Sequence, residues 1–256
     1  MSLTRTVIRI AAPLPDLESK ERFLFLGPHP DDIEIGAGAT AAKLAAAGKA
    51  ICFLICTDGR FGGTQCPKLS PDELAALRKQ EALQSAAFLG IRDVRFLGLS
   101  DGGFYEWKDL LNGIAAVVAD FQPDVVFAPD PWVSSECHPD HLNVGKAARQ
   151  IACFAPYGGI MAQYGASSAP VSALAFYMTA KANRFICTRG FVSRQLSAVF
   201  DFHRSQFPEN SAEGNATRLY LKLRAADFGI RSLKGQAEGF RVLGTTQMHC
   251  LPEAGT

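Results

Sequence analysis

The sequence predicts a single α/β domain whose mostly parallel sheet carries helices on both faces. Short apolar runs alternate with longer segments of helical character along most of the chain, a pattern typical of parallel strands joined by helices. Neither an internal repeat nor a Pro/Ser-rich linker interrupts the 256 residues. We therefore predict one domain over residues 1–256, with a core at about 20–207 and a C-terminal extension at about 208–256.

Five apolar runs are predicted as strands, and five further segments are predicted as helices. The strands are expected at 23–26, 50–56, 94–97, 124–128 and 171–178, and the helices at 36–47, 71–89, 105–119, 141–153 and 190–207. The helix at 71–89 has the clearest signals, because Ser70 and Glu73 fit a capping box and Gly90 follows its end. Beyond residue 210 the pattern weakens, and 225–240 is expected to be partly helical.

Composition and charge exclude several classes of partner. The 26 Lys and Arg residues nearly balance the 25 Asp and Glu residues and leave a net charge of +1, without the basic excess that attracts nucleic acid or anionic membranes. The N-terminal residues lack the apolar region of a signal peptide, and the uncharged segment 151–180 holds too many Gly, Pro, Ser and Gln residues for a membrane span. We predict a cytoplasmic protein without nucleic-acid partners, in which 151–180 is a long loop leading into a strand.

The seven cysteines predict neither a disulfide framework nor a structural zinc site. They are unevenly spread and include no Cys-x-x-Cys pair. Cys52, Cys56 and Cys187 lie among apolar neighbours, so we expect them to be buried as small hydrophobic side chains.

Two His-Pro-Asp tripeptides stand where predicted strands end. His29-Pro30-Asp31, followed by Asp32, comes directly after the first strand, and His138-Pro139-Asp140, followed by His141, comes after the strand at 124–128. Three of the five histidines fall in these motifs, far more than composition alone would place there. Because ligands bind at the carboxyl ends of strands in an open parallel sheet, we expect the two motifs to form one site.

The residue types in these motifs suit metal-assisted hydrolysis. His29 and Asp32, at a turn from strand to helix, can face one point, and His141 can complete a set of two histidines and one carboxylate. This set leaves coordination positions open for water and substrate. Because it has one anionic member, a divalent ion keeps a net positive charge, polarises a carbonyl and lowers the pKa of water toward about 7.

The remaining polar residues of the motifs are assigned to proton transfer. Asp31, adjacent to a ligand, is available as general base. His138 can stabilise an oxyanion or protonate a leaving amine, and the Asp140 side chain can hold the tautomer of His138.

With these motifs the sequence resembles the LmbE-like family of de-N-acetylases, which includes N-acetylglucosaminyl-phosphatidylinositol deacetylases. The family signature His-Pro-Asp-Asp-x-Glu corresponds to residues 29–34, and a downstream His-Pro-Asp-His corresponds to residues 138–141. Weaker similarities lie at Thr57-Asp58-Gly59, at Arg78 with Glu81, at Asp101-Gly102, at His203-x-Ser205-Gln206 and at Ala237-Glu238-x-Phe240.

The resemblance implies a Rossmann-like fold and zinc bound by His29, Asp32 and His141. Another divalent metal such as Fe²⁺ is the alternative for the same ligands. It implies removal of an N-acetyl or related N-acyl group from an N-acetylglucosaminyl conjugate. By the same similarity, Arg78 and Asp101 would contact the sugar or its aglycone. The expected partner is thus a small amino-sugar conjugate. A homo-oligomeric state is a further possibility.

Two other functions remain open from the sequence. Non-haem Fe(II) oxygenases also use two histidines and one carboxylate, although the His-x-x-Asp spacing at a strand-to-helix junction suits an open sheet better than a small β-barrel. A catalytically idle sugar-binding protein could keep the same fold. Asp31 and His138 argue against the idle protein, because a binding module needs no base beside a metal.

Overall fold

A computed structural model of the chain describes residue 7 and residues 10–249. Within these residues the strands are β1 Arg22–Gly27, β2 Ala50–Thr57, β3 Asp93–Leu99, β4 Val125–Pro129, β5 Ala173–Tyr177, β6 Arg184–Cys187 and β7 Ala237–Gly244. They form one sheet in the order β3-β2-β1-β4-β5-β7-β6. Strands β1 to β5 pair in parallel, whereas β7 is antiparallel to both β5 and β6. The prediction of a mostly parallel sheet is confirmed.

Helices cover both faces of this sheet, as predicted. They are α1 Asp32–Ala46, α2 Pro71–Leu89, α3 Trp107–Phe121, α4 Pro139–Phe154, α5 Gly158–Met161, α6 Val192–Ser197, α7 Ala212–Ser232 and α8 Thr245–His249. Successive strand residues point to opposite faces, so Leu24 and Leu26 of β1 pack with α3 and α4, while Phe23 and Phe25 pack with α1 and α2. Both faces of β1 are therefore buried, which explains its continuous apolar sequence.

The helix signals read from the sequence are confirmed at α2. The Ser70 side chain accepts the Glu73 N–H, and the Glu73 carboxylate accepts the Ser70 N–H at 2.8 Å. Gly90 follows the helix with φ 90°, in the left-handed region that favours glycine. Two other helices begin earlier than predicted, since α1 starts at Asp32 and α4 starts at Pro139. Both starts bring motif residues onto helix N-termini.

In the segment after residue 210, the partly helical stretch predicted at 225–240 is confirmed as far as Ser232, the end of α7. That helix begins earlier, at Ala212, and the rest of the stretch enters β7, an internal strand of the sheet. Glu238 and Arg241 interrupt the apolar pattern of β7, yet both are buried because their polar groups have partners inside the protein. The predicted division near residue 207 stays a prediction.

The uncharged segment 151–180 is less irregular than the predicted loop. It contains the end of α4, the short helix α5 and a 3-10 turn at Ala162–Tyr164 before β5 begins. The helix predicted at 190–207 is shorter, since α6 passes into a π-helical turn at Ala198–Phe202. Strand β6 was not predicted.

Residues 10–249 test the predicted burial of three cysteines and the predicted lack of a membrane span. Cys52 and Cys56 are buried as expected, but Cys187 is only half-buried. Over this range, no helix combines the length and the hydropathy needed to cross a membrane.

Candidate active site

The two His-Pro-Asp motifs meet at the carboxyl edge of the sheet, as the sequence predicted. Strands β1 and β4 are parallel neighbours, so the residues that follow them lie side by side. The His29 ring centroid is 4.6 Å from that of His138 and 5.3 Å from that of His141. Residues more than 100 positions apart thus share one cluster.

Two of the predicted metal ligands, His29 and His141, converge on a carboxylate oxygen of the third, Asp32. Asp32 Oδ2 lies 3.0 Å from His29 Nδ1 and 3.3 Å from His141 Nε2. The ligand atoms of these three residues all lie within 4.8 Å of one another, a spacing that can hold a metal ion. A second group, composed of His29, His138 and Asp140, meets the same criterion.

The hydrogen bonds of Asp140 favour the group that contains Asp32. Asp140 is fully buried; its Oδ1 accepts the Gly103 N–H at 2.8 Å, and its Oδ2 accepts the Gly102 N–H at 2.7 Å. The same Oδ2 lies 3.0 Å from His29 Nε2. Because N–H donors already occupy both oxygens, Asp140 is better suited to hold the far side of the His29 ring than to bind a metal.

The predicted contact between the Asp140 carboxylate and His138 is not formed. Asp140 Oδ2 is 3.8 Å from His138 Nδ1, beyond hydrogen-bond distance, whereas the backbone N–H of Asp140 donates to that nitrogen at 3.3 Å. The backbone, rather than the side chain, therefore fixes the tautomer of His138. A neutral His138 then carries its proton on Nε2, on a side chain that is 43% exposed.

The cluster stabilises positive charge. Burial alone would lower the pKa of His29, but its hydrogen bonds to Asp140 and Asp32 raise that pKa to about 9. Burial also opposes protonation of His141, yet the charge of Asp32 and the Glu136 carboxylate raise its pKa to about 10. A divalent cation held by this cluster would supply positive charge in place of the protons on the rings.

Asp31 lies next to the metal-ligand group but has a different partner. Its φ of 134° is unusual for a residue other than glycine and separates it from α1, which begins at Asp32. Its Oδ2 lies 3.2 Å from Arg78 Nη2. Burial raises the pKa of Asp31 to about 6, although the positive charge of Arg78 acts in the opposite direction.

Arg78 and Asp101, assigned to substrate by resemblance, both have partners inside the protein. The Arg78 guanidinium is 4% exposed and donates to the carbonyls of Gly59 and Pro30, both at 3.1 Å, as well as to Asp31. The Asp101 carboxylate accepts the Phe61 N–H, and its pKa is raised by burial. Contact of either residue with a sugar stays a prediction.

Sequence reasoning missed some contacts in this region. Glu136 contacts both histidines of the second motif. His203, for which the sequence predicted no role beyond the resemblance, is fully buried with Nε2 3.2 Å from Glu34 Oε1, and Ser85 donates to the same oxygen at 2.7 Å. The position of Glu136, an acidic residue two positions before the second motif, was the signal that could have identified it.

With the geometry established, the family can be assigned. The profile of the PIG-L family, described as GlcNAc-PI de-N-acetylase, matches residues 24–152. This chain belongs to that family. Diacetylchitobiose deacetylase of Thermococcus kodakarensis is 32% identical over 255 residues, covering 98% of this chain and 93% of the relative. A 1D-myo-inositol 2-acetamido-2-deoxy-α-D-glucopyranoside deacetylase of Kineococcus radiotolerans is 33% identical over 166 residues, covering 53% of this chain and 46% of the relative.

Solved structures agree with this membership in the PIG-L family. N,N'-diacetylchitobiose deacetylase of Pyrococcus horikoshii matches with a TM-score of 0.86 and 29% identity, covering 98% of this chain and 97% of the other. The 4-carboxy-2-hydroxymuconate hydratase of Pseudomonas putida has the same fold at 18% identity, with a TM-score of 0.72 and coverage of 87% and 96%. Fold alone therefore does not decide the chemistry. Family membership confirms the predicted class, an amide hydrolase of the deacetylase type, over the Fe(II) oxygenase.

Proposed function

We propose that this chain is a zinc-dependent hydrolase that removes the N-acetyl, or a related N-acyl, group from an N-acetylglucosaminyl unit of a small conjugate. The observation that carries the proposal is the convergence of His29, Asp32 and His141 on one point beside Asp31, a buried carboxylate outside the ligand group. Relatives that align with the chain are named as deacetylases of diacetylchitobiose and of an inositol N-acetylglucosaminide.

The donor set fits zinc. Two imidazole nitrogens and one carboxylate oxygen are common ligands of catalytic zinc, and they leave positions open for water and substrate. When bound, the cation supplies positive charge that polarises the amide carbonyl and makes water more acidic. Fe²⁺ accepts the same ligands, so the choice of metal is part of the proposal.

Asp31 is the proposed general base. Its carboxylate can take a proton from the attacking water. The Arg78 guanidinium restrains this carboxylate by donating a hydrogen bond to one of its two oxygens. The guanidinium also donates to two backbone carbonyls, which fix its own position while it holds the Asp31 carboxylate. Arg78 would thus act on the reaction through Asp31, in addition to any contact with the sugar.

His138 is the proposed partner of the negative charge that develops on the amide oxygen. Its Nδ1 accepts the backbone N–H of Asp140, so the neutral ring has Nε2–H available as a donor. Burial and the nearby His29 and His141 rings lower the pKa of His138, which favours that neutral form. Donation to an oxygen whose charge grows during the reaction stabilises the transition state more than the substrate.

The rim of the site suits a sugar conjugate. Asp101 uses its carboxylate on one N–H and keeps acceptor capacity for substrate hydroxyls. Phe61 and Phe104 are 56% and 73% exposed with ring centroids 6.1 Å apart, an apolar surface against which the C–H face of a sugar could pack. Cytoplasmic location and a homo-oligomeric state stay predictions from the sequence.

The proposal is tested by acetate release from N-acetylglucosaminyl substrates, beginning with diacetylchitobiose. We expect the wild-type protein loaded with zinc to release acetate, and Asp31→Asn to be about 10²–10⁴-fold slower with its zinc content unchanged. Asp227→Asn, an exposed carboxylate on α7, is the control and should act as the wild type. Zinc-loaded wild-type protein that binds the sugars but releases no acetate would favour the idle sugar-binding alternative, and full activity of Asp31→Asn would reassign the base.

A further inference from the structure

Glu136 connects the two histidines of the second motif. It lies in the loop between β4 and α4, and its two carboxylate oxygens have different partners. Oε1 accepts the backbone N–H of His138 at 2.8 Å, and Oε2 lies 2.8 Å from Nδ1 of His141. One side chain therefore contacts both the proposed charge-stabilising residue and a proposed metal ligand.

The two ring nitrogens of His141 face different groups. Nε2 lies 3.3 Å from Asp32 Oδ2, inside the ligand group, whereas Nδ1 faces Glu136. A neutral imidazole carries one N–H, and a metal ligand must present a lone pair. A carboxylate at Nδ1 favours the proton on that nitrogen, which leaves the lone pair on Nε2 and makes it a stronger donor.

His29 has the same arrangement with its nitrogens exchanged. Its Nδ1 lies 3.0 Å from Asp32 Oδ2, and its Nε2 lies 3.0 Å from Asp140 Oδ2. Each histidine of the ligand group thus has one nitrogen in the group and the other on a carboxylate. Asp140 is fully buried and also bound by two backbone N–H groups, but the Glu136 side chain is 25% exposed and can be replaced with less disturbance.

We propose that Glu136 is a positioning residue that keeps a proton on Nδ1 of His141 and orients the ring, so that Nε2 is the nitrogen that faces the metal. This inference rests on the proposed function, because it requires a cation bound by His29, Asp32 and His141. The alternative is a purely structural carboxylate that only restrains the loop through the His138 N–H. The two differ in what they need, since restraint of the loop requires an acceptor oxygen, whereas His141 requires the negative charge.

Glu136→Gln separates these roles, because glutamine keeps an oxygen for the His138 N–H but loses the charge. The measurements are the zinc affinity of the metal-free protein, by competition with a coloured chelator, and its circular dichroism spectrum. We expect Glu136→Gln to bind zinc about 10–100-fold more weakly, while the metal-free variant keeps the wild-type spectrum. Glu136→Ala should weaken zinc binding at least as much. The control is Glu209→Gln, which replaces an exposed carboxylate beside Arg204 and should match the wild type.

Three results would overturn this role of Glu136. Wild-type zinc affinity in Glu136→Gln with weaker binding in Glu136→Ala would indicate loop restraint alone, and wild-type affinity in both would remove any role. Loss of the wild-type circular dichroism spectrum in metal-free Glu136→Gln would assign the residue to folding. His141→Ala distinguishes these failures from failure of the proposed function, because stoichiometric zinc in that variant would refute the ligand group itself.

Discussion

Replacing the buried Glu238 by glutamine is expected to change how the free energy of unfolding depends on pH. Glu238 lies on β7, and its carboxylate accepts the backbone N–H groups of Ala39 and Thr40, at 3.2 and 2.7 Å, and the side-chain amide of Gln195 at 2.9 Å. Burial raises the pKa of Glu238 from its ordinary 4.5 to about 7, although hydrogen bonds from Thr40 and Ala39 and the charge of Arg224 act against it.

The sign of the effect follows from proton uptake. Between pH 4.5 and about 7 the folded protein holds a proton on Glu238 that the unfolded chain releases, so stability falls as the pH rises through this window. This loss of stability is absent below the pKa of Glu238 in the unfolded chain and complete above its pKa in the folded protein. The difference of about 2.5 between the two pKa values corresponds to about 3 kcal/mol.

Urea unfolding of wild-type protein and Glu238→Gln at several pH values between 5 and 8 measures this effect. Glutamine does not titrate, and the other groups titrate alike in both proteins, so their contributions cancel in the difference. We expect the free energy of unfolding of the variant to rise, relative to wild type, by about 2–3 kcal/mol from pH 5 to pH 8. Two parallel curves would instead show that Glu238 is ionised in both the folded and the unfolded protein, without a raised pKa.

Three further substitutions test the site and its support. His141→Ala should lose stoichiometric zinc while keeping the circular dichroism spectrum of the fold, and full zinc occupancy would exclude His141 as a ligand. His138→Ala should lower kcat by about 10²–10³-fold with zinc content and KM near wild type, since it acts on charge that develops in the transition state; loss of zinc would contradict this role. Gly36→Ala should destabilise the fold by about 1–3 kcal/mol or more, because its Cβ would lie 2.2 Å from the buried Tyr177 ring; Gly159→Ala, with open space around it, is the control in thermal unfolding.

The ligand group could be predicted from the sequence because its position depends on one rule of sheet geometry. His29 and His141 are 112 positions apart, yet each follows a strand, and those strands are parallel neighbours. The polar residues at the two strand ends had therefore to meet at one edge. The capping box at Ser70 was equally accessible, since all its atoms lie within four residues.

The role of Asp140 could not be predicted in the same way. Spacing suggested His138, two residues away, as the partner of its carboxylate. The structure instead brings the Gly102 and Gly103 N–H groups and His29 to this carboxylate, from two loops that lie far away in the sequence. Residue type and local spacing contain no information on which distant donors reach a buried acceptor. The same limit explains why β7 was missed, since Ala39 and Thr40, whose N–H groups permit Glu238 to be buried, lie about 200 residues earlier.

A break in α1 connects this C-terminal strand to the active site. Ala37 has non-helical φ and ψ of −150° and 15°, so the helix that begins at Asp32 is interrupted one turn later. Gln195 donates to the carbonyls of Glu34 and Ile35, before the break, and also to Glu238, which accepts N–H groups after it. A helix interrupted in the interior leaves backbone groups that water cannot reach, so these side chains replace the missing hydrogen bonds. The first turn of α1, which includes Asp32 and Glu34, thus depends for its placement on residues from the last quarter of the chain. The part of the chain up to His141, which contains both motifs, is therefore not expected to form the metal site without the residues that follow it.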